Sequence, residues 1–257
     1  MGLAVRGCEI RPKHNMDISI ELVPRNKQYL EDALTDIQQQ LPAINTINIP
    51  DISRYEMRSW EGCLVARDYF PTSIPHIRAA DTEPDMPLPM IDALVERGVN
   101  KLLIVTGDWD QSEKPAVTSV DLIRRLKREY PQLTLYGALD PYRQDFYSEV
   151  AYARQKIEAG ASGFFTQPFF DLRLMEIYAD LLHDTELYWG VAPVVTKRSR
   201  RYWEQRNKAI FPASFDCSLE WNRALAQQAL QFAKNGGDSI YFMPIRVNVV
   251  DYLAGIL

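Results

Sequence analysis

Residues 145–166 read DFYSEVAYARQKIEAGASGFFT, and this stretch decides the fold. Asp145 is placed to cap a helix, because its carboxylate can accept from the free N–H groups of the first turn. Phe146, Val150, Ala153 and Ile157 then recur at helical spacing, so a helix with one apolar stripe is expected from Asp145 to Ala159. Gly160 ends it by supplying a left-handed residue, and the next β-rich run, Gly163–Thr166, is a strand. The same stop recurs on either side: Gly98 precedes Val99-Asn100-Lys101, and Gly236-Gly237 precede Asp238-Ser239.

Working outward, the other strand candidates are Ile18–Val23, Ile44–Ile49, Ile74–Ala79, Leu102–Thr106, Leu133–Ala138, Leu187–Ala192 and Ser239–Met243, with stretches long enough for helices between them. Eight strands alternating with helices predict an α/β fold, a single (β/α)8 TIM barrel. A doubly wound open sheet is the runner-up. It usually carries a phosphate-binding glycine turn after its first strand, where this chain has Val23-Pro24-Arg25-Asn26. No Pro/Gly/Ser-rich linker divides the chain, so the reading is a polar N-terminal arm over 1–16 and one barrel over 17–257.

Composition excludes several functions. The 257 residues are 46% hydrophobic and 25% charged, an ordinary globular balance. A net charge of −5 argues against a nucleic-acid or anionic-membrane partner, both of which need a positive surface. No apolar run approaches a bilayer span, and the start lacks a signal-peptide core, so a cytoplasmic location is expected. Cys8, Cys63 and Cys217 are too widely spaced for a disulfide framework or zinc site, and His14, His76 and His183 are not at ligand spacing, so no metal is expected. Walker, Rossmann and nucleophile-elbow glycine motifs are absent.

A barrel keeps its chemistry at the C-terminal ends of its strands. The polar residues there are Glu21, Asp51, His76, Asp81, Asp108, Tyr136, Asp140, Gln167 and Arg246. A single acid after a strand is more often a helix cap, as expected for Asp171. Glu21 differs because it interrupts the apolar run Ile18-Ser19-Ile20-Glu21-Leu22-Val23. Such a carboxylate either neutralises, pairs with a cation such as Arg25, or faces the mouth, where a raised pKa suits a general acid. The basic stretch Lys197–Arg201 is either an anion site or a solvated helix face, and the neighbouring Trp203 either packs or stacks.

Asp17-Ile18-Ser19-Ile20-Glu21-Leu22-Val23-Pro24-Arg25 resembles the opening strand of the methylenetetrahydrofolate reductases. Further blocks in the family's order are Pro75-His76-Ile77, Val105-Thr106-Gly107-Asp108, Thr166-Gln167-Pro168-Phe169-Phe170-Asp171 and Gly190-Val191-Ala192-Pro193-Val194. The resemblance implies a (β/α)8 barrel that reduces 5,10-methylenetetrahydrofolate to 5-methyltetrahydrofolate with NAD(P)H through FAD. It makes Glu21 and Asp108 catalytic and assigns Asp108, Gln167, Trp203 and Arg246 to the folate. His76, Tyr136, Glu149 and Lys156 are left for the flavin.

The departures fall on flavin binding. Thr106 stands where the family commonly has Arg, Asp140 replaces a His after strand five, and Gln155 replaces an Arg in the next helix. Fewer cations near a pyrophosphate weaken its site, so weakened FAD binding is expected. Direct hydride transfer from NAD(P)H without flavin, and a non-catalytic folate-binding barrel, stay open as alternatives. So does a homo-oligomer.

Overall fold

The computed structural model of the chain describes residues 16–107 and 115–257. Eight parallel strands close in sequence order, with β8 pairing back onto β1. They are β1 (Ile18–Glu21), β2 (Thr46–Ile49), β3 (Thr72–Arg78), β4 (Lys101–Val105), β5 (Thr134–Leu139), β6 (Gly163–Thr166), β7 (Glu186–Val191) and β8 (Ser239–Phe242). The outer helices are α1 (Lys27–Gln40), α2 (Ser59–Ala66), α3 (Pro89–Glu96), α4 (Ser119–Glu129), α5 (Phe146–Glu158), α6 (Leu172–Leu181), α7 (Lys197–Arg206), α8 (Leu219–Gly236) and the short α9 (Val249–Leu253). The expected closed α/β barrel is the fold. Of the expected arm over 1–16, all but Met16 lies outside the described residues; Met16 packs against the core.

Strand alternation divides the interior into two cores. Ile20, Ile47, Ile49, Ile77, Leu102, Ile104, Leu135, Phe164, Leu187, Trp189, Ile240 and Phe242 point out of the barrel and join the helices in one apolar layer. Ile74, Leu103, Tyr136, Phe165, Tyr188 and Tyr241 point inward and fill the barrel. Phe165 stacks on Tyr188 with centroids 4.0 Å apart. The N-terminal end is closed by polar contacts: Lys101 Nζ donates to Asp17 at 2.6 Å, the Tyr188 hydroxyl donates to the same carboxylate, and the Tyr136 hydroxyl donates to Glu186 at 3.2 Å.

Local signals work as read at the helix ends. Asp145 caps α5 by accepting from Ser148 N at 2.9 Å, and Asp171 caps α6 by accepting from Arg173 N at 3.1 Å. Gly98, Gly160 and Gly237 adopt φ of 73°, 113° and 72°, the left-handed turns expected after α3, α5 and α8. The expected stripe of α5 holds at Val150, Ala153 and Ile157, which pack on the core, and is corrected at Phe146. Its most buried residues are Glu149, Ala153 and Lys156, while Phe146 is 40% exposed. Two charged side chains turn inward because the end of β5 offers them partners.

Candidate functional site

Glu21 is the last residue of β1 and pairs in register with Asn48 of β2, which places both at the C-terminal end of the barrel. Asn48 is fully buried and uses its whole carboxamide. Its oxygen accepts from the Ser19 hydroxyl at 2.8 Å, and its nitrogen lies 3.3 Å from Glu21 Oε2 and 3.2 Å from His76 Nε2. Glu21 has no ion pair among the described residues; Arg25 stacks over Tyr29 at 5.2 Å instead. Burial pushes the Glu21 carboxyl up to about 7, against the opposing hydrogen bond from Asn48. Burial likewise pushes His76 down to about 3, against the attraction of Asp51, so its ring is neutral.

An ion-pair rim borders this array. Asp51 accepts from Arg58 Nε at 2.9 Å, from Arg58 Nη2 at 2.5 Å and from Ser59 N at 3.2 Å. Arg58 also reaches Asp81 at 3.2 Å, and Arg78 Nε lies 3.1 Å from Asp81. The Ser59 hydroxyl donates to the His76 carbonyl at 2.6 Å and ties α2 to β3. Opposite, the Tyr241 hydroxyl donates to the Thr166 carbonyl beneath Gly190. A Cβ on Gly190 would lie 2.6 Å from that carbonyl oxygen and 3.0 Å from the tyrosine hydroxyl, so only glycine leaves room for this contact.

Beyond β5, Glu149 is a fully buried hub. It accepts from Asp140 N at 3.0 Å, Arg143 Nη2 at 2.7 Å and Gln144 Nε2 at 2.8 Å. Lys156 Nζ donates to the Ala138 carbonyl at 2.5 Å and lies 4.2 Å from the centre of the Tyr152 ring, which Arg143 also faces, at 4.7 Å. Burial, then the Arg143 charge, holds Lys156 down to about 7 against Glu149 and Asp140. Burial also raises Asp140, with the Tyr142 N–H opposing.

A profile described as methylenetetrahydrofolate reductase matches residues 10–224. The chain belongs to the methylenetetrahydrofolate reductase family. Among solved structures, an uncharacterized protein from Clostridium thermocellum that binds two copies of 5-methyl-5,6,7,8-tetrahydrofolic acid matches at 16% identity and TM-score 0.62, over 95% of this chain and 94% of that one. A 2,3-dimethylmalate lyase of the PEP mutase/isocitrate lyase superfamily matches at 13% identity and TM-score 0.61, over 92% of this chain and 77% of that one. An oxaloacetate acetylhydrolase matches at 12% identity and TM-score 0.58, over 94% and 76%. At these identities the three show a shared barrel.

The residues expected to act fall into three groups. Glu21 and His76 come together through Asn48. Gln167 and Arg246 are exposed beyond the C-terminal ends of β6 and β8, and Arg246 adopts a left-handed φ of 59°. Asp108 lies outside the described residues. The remaining residues are placed as follows. Tyr136 is turned to the opposite end of the barrel, because its hydroxyl reaches Glu186, the first residue of β7. Trp203 is 6% exposed and packs edge-on against Phe170 with centroids 5.5 Å apart, beside Phe211 and Phe215. Glu149 and Lys156 are spent on each other's surroundings.

FAD needs cations or free N–H groups for its pyrophosphate. Here Arg143 is bound to Glu149, Lys156 to a carbonyl, Arg58 to Asp51 and Asp81, and Arg78 to Asp81. Asp140 adds a carboxylate at the same edge. These four basic side chains therefore each already have an anionic or carbonyl partner. No cluster of His, Cys, Asp and Glu among the described residues suits a metal ion, and none of their helices is long and apolar enough to cross a membrane. Sequence reasoning missed Asn48, although the alternation Thr46-Ile47-Asn48-Ile49 already turns Asn48 inward with Thr46. It also missed Arg143, whose partner lies in the next helix and leaves no local signal.

Proposed function

We propose that the barrel mouth binds a reduced folate and reduces 5,10-methylenetetrahydrofolate to 5-methyltetrahydrofolate, with NAD(P)H as direct hydride donor. The observation that carries the reading is a carboxyl at the end of β1 that burial raises to about 7, held by one amide donor and with no cation beside it among the described residues. Family membership and the methyltetrahydrofolate bound by the structural neighbour support the substrate class. Glu21 gives its proton to N10 of the folate, the N10–methylene bond breaks, and the resulting N5 iminium accepts hydride at the methylene carbon. The products are 5-methyltetrahydrofolate, NAD(P)+ and the Glu21 carboxylate, which regains a proton from solvent. An acid near 7 is matched to this task, since it is protonated before the step and a fair donor during it. Gln167, Arg246 and Asp108 are proposed folate contacts, and FAD takes no part.

The test is folate-dependent oxidation of NAD(P)H, beside folate binding, in wild type and Glu21→Gln. Turnover falling by at least ~10²-fold with binding retained supports the reading. Binding without turnover in the wild type would establish the non-catalytic folate-binding barrel, and near-wild-type turnover in the variant would remove Glu21 from the chemistry.

A further inference from the structure

We propose that Asn48 is a positioning residue whose carboxamide dictates which oxygen of Glu21 carries the transferable proton. Ionised Glu21 can only accept, so the Asn48 amide nitrogen faces it and Oδ1 is left to accept from the Ser19 hydroxyl at 2.8 Å. The amide nitrogen must then face both other neighbours, giving one hydrogen to Glu21 Oε2 at 3.3 Å and the other to His76 Nε2 at 3.2 Å. An Asn nitrogen has two hydrogens and no acceptor capacity, so both partners must accept. Two consequences follow. His76 is neutral with its proton on Nδ1, and it places no cation beside the acid. In neutral Glu21, Oε2 is occupied by the incoming N–H, so the proton resides on Oε1, which has no hydrogen bond to another described residue.

The reversed carboxamide would give the opposite outcome. Its oxygen would face Glu21 and His76, requiring a proton on His76 Nε2 and drawing the Glu21 proton onto Oε2, where it is locked inside the wall. The same Asn48 donor stabilises the carboxylate left after proton transfer. The groups that bear on Glu21 from the surrounding elements are His76 of β3, Asp51 after β2 acting on His76, Tyr241 of β8, and Asp140 after β5 acting on Tyr241. None is a cation. This deepens the proposed folate reduction by naming the donor atom, and it rests on that reading only for the identity of the proton's acceptor.

The test uses unliganded protein and no turnover. In the wild type, 15N NMR of the histidine rings, assigned with His76→Gln, is expected to show Nδ1 protonated and Nε2 bare from about pH 5 to about pH 9. A proton on Nε2 would overturn the proposal. In Asn48→Leu, 13C NMR of carboxyl-labelled glutamate, assigned by the signal lost in Glu21→Gln, is expected to show the Glu21 acid constant falling about tenfold. An unchanged titration in the folded variant would overturn it too. If Asn48→Leu does not fold, the wild-type tautomer decides alone. Absence of folate reduction would remove the proposed function and leave both of these readouts standing.

Discussion

At Glu21 burial and hydrogen bonding pull the carboxyl in opposite directions, and burial wins. The consequence reaches beyond catalysis. Folded protein keeps a proton that the unfolded chain releases near the ordinary value of 4.5. Stability from this group is therefore fully present below pH 4.5 and is lost as pH rises toward about 7. Glu21→Gln removes the loss, so the variant is expected to gain on wild type between those limits, by up to about 3 kcal/mol above pH 7. Urea unfolding at an acidic and an alkaline pH checks it; equal differences at both would show that Glu21 titrates normally. His76 acts with the opposite sign. Its stability is present above the ordinary 6.5 and is lost as pH falls toward about 3, so the two neighbours oppose each other through the mildly acidic range.

Among the elements, α5 shows how a correct boundary and apolar stripe can still miss buried charges. Its ends were legible because capping is local: Asp145 and Gly160 sit within a turn of the groups they serve. Its buried charges were not, because Glu149 and Lys156 turn inward for partners on the β5 loop and strand, namely Asp140 N, Arg143 and the Ala138 carbonyl. The hydrophobic stripe carried no information about them. Removing Glu149 strands the Asp140 N–H and leaves Lys156 without its main opposing charge. Arg143 is 41% exposed and rehydrates, which softens the loss. Glu149→Ala is expected to cost about 2–3 kcal/mol, read from chemical denaturation. A neutral result would mean that the hub is decorative and would reopen the strand-five edge to an anionic ligand.

On the scale of the whole molecule, the barrel was legible because each strand announces itself twice. One face, such as Ile47 and Ile49, meets the helices, and the other, such as Thr46 and Asn48, meets the interior. The eight strands fall within one or two residues of the sequence reading, since a slip would exchange the two cores. Which end of the barrel an inward residue serves was not legible. Tyr136 and Tyr241 both face inward, yet one hydroxyl reaches Glu186 at the start of β7 and the other the Thr166 carbonyl at the end of β6. Strand stagger and the length of a tyrosine set that difference, and neither is written in local pattern.

The central claim is that the mouth carries hydride from a reduced nicotinamide to a folate with Glu21 as the acid and no flavin between them. It is tested most directly by incubating protein freed of flavin with 5,10-methylenetetrahydrofolate and NAD(P)H deuterated at the transferring position, then analysing the folate by mass spectrometry. The account predicts 5-methyltetrahydrofolate with one deuterium retained in its methyl group, formed at a rate unchanged by added FAD and abolished in Glu21→Gln. Methylfolate that appears only after FAD is added, with the label lost to solvent, would contradict it.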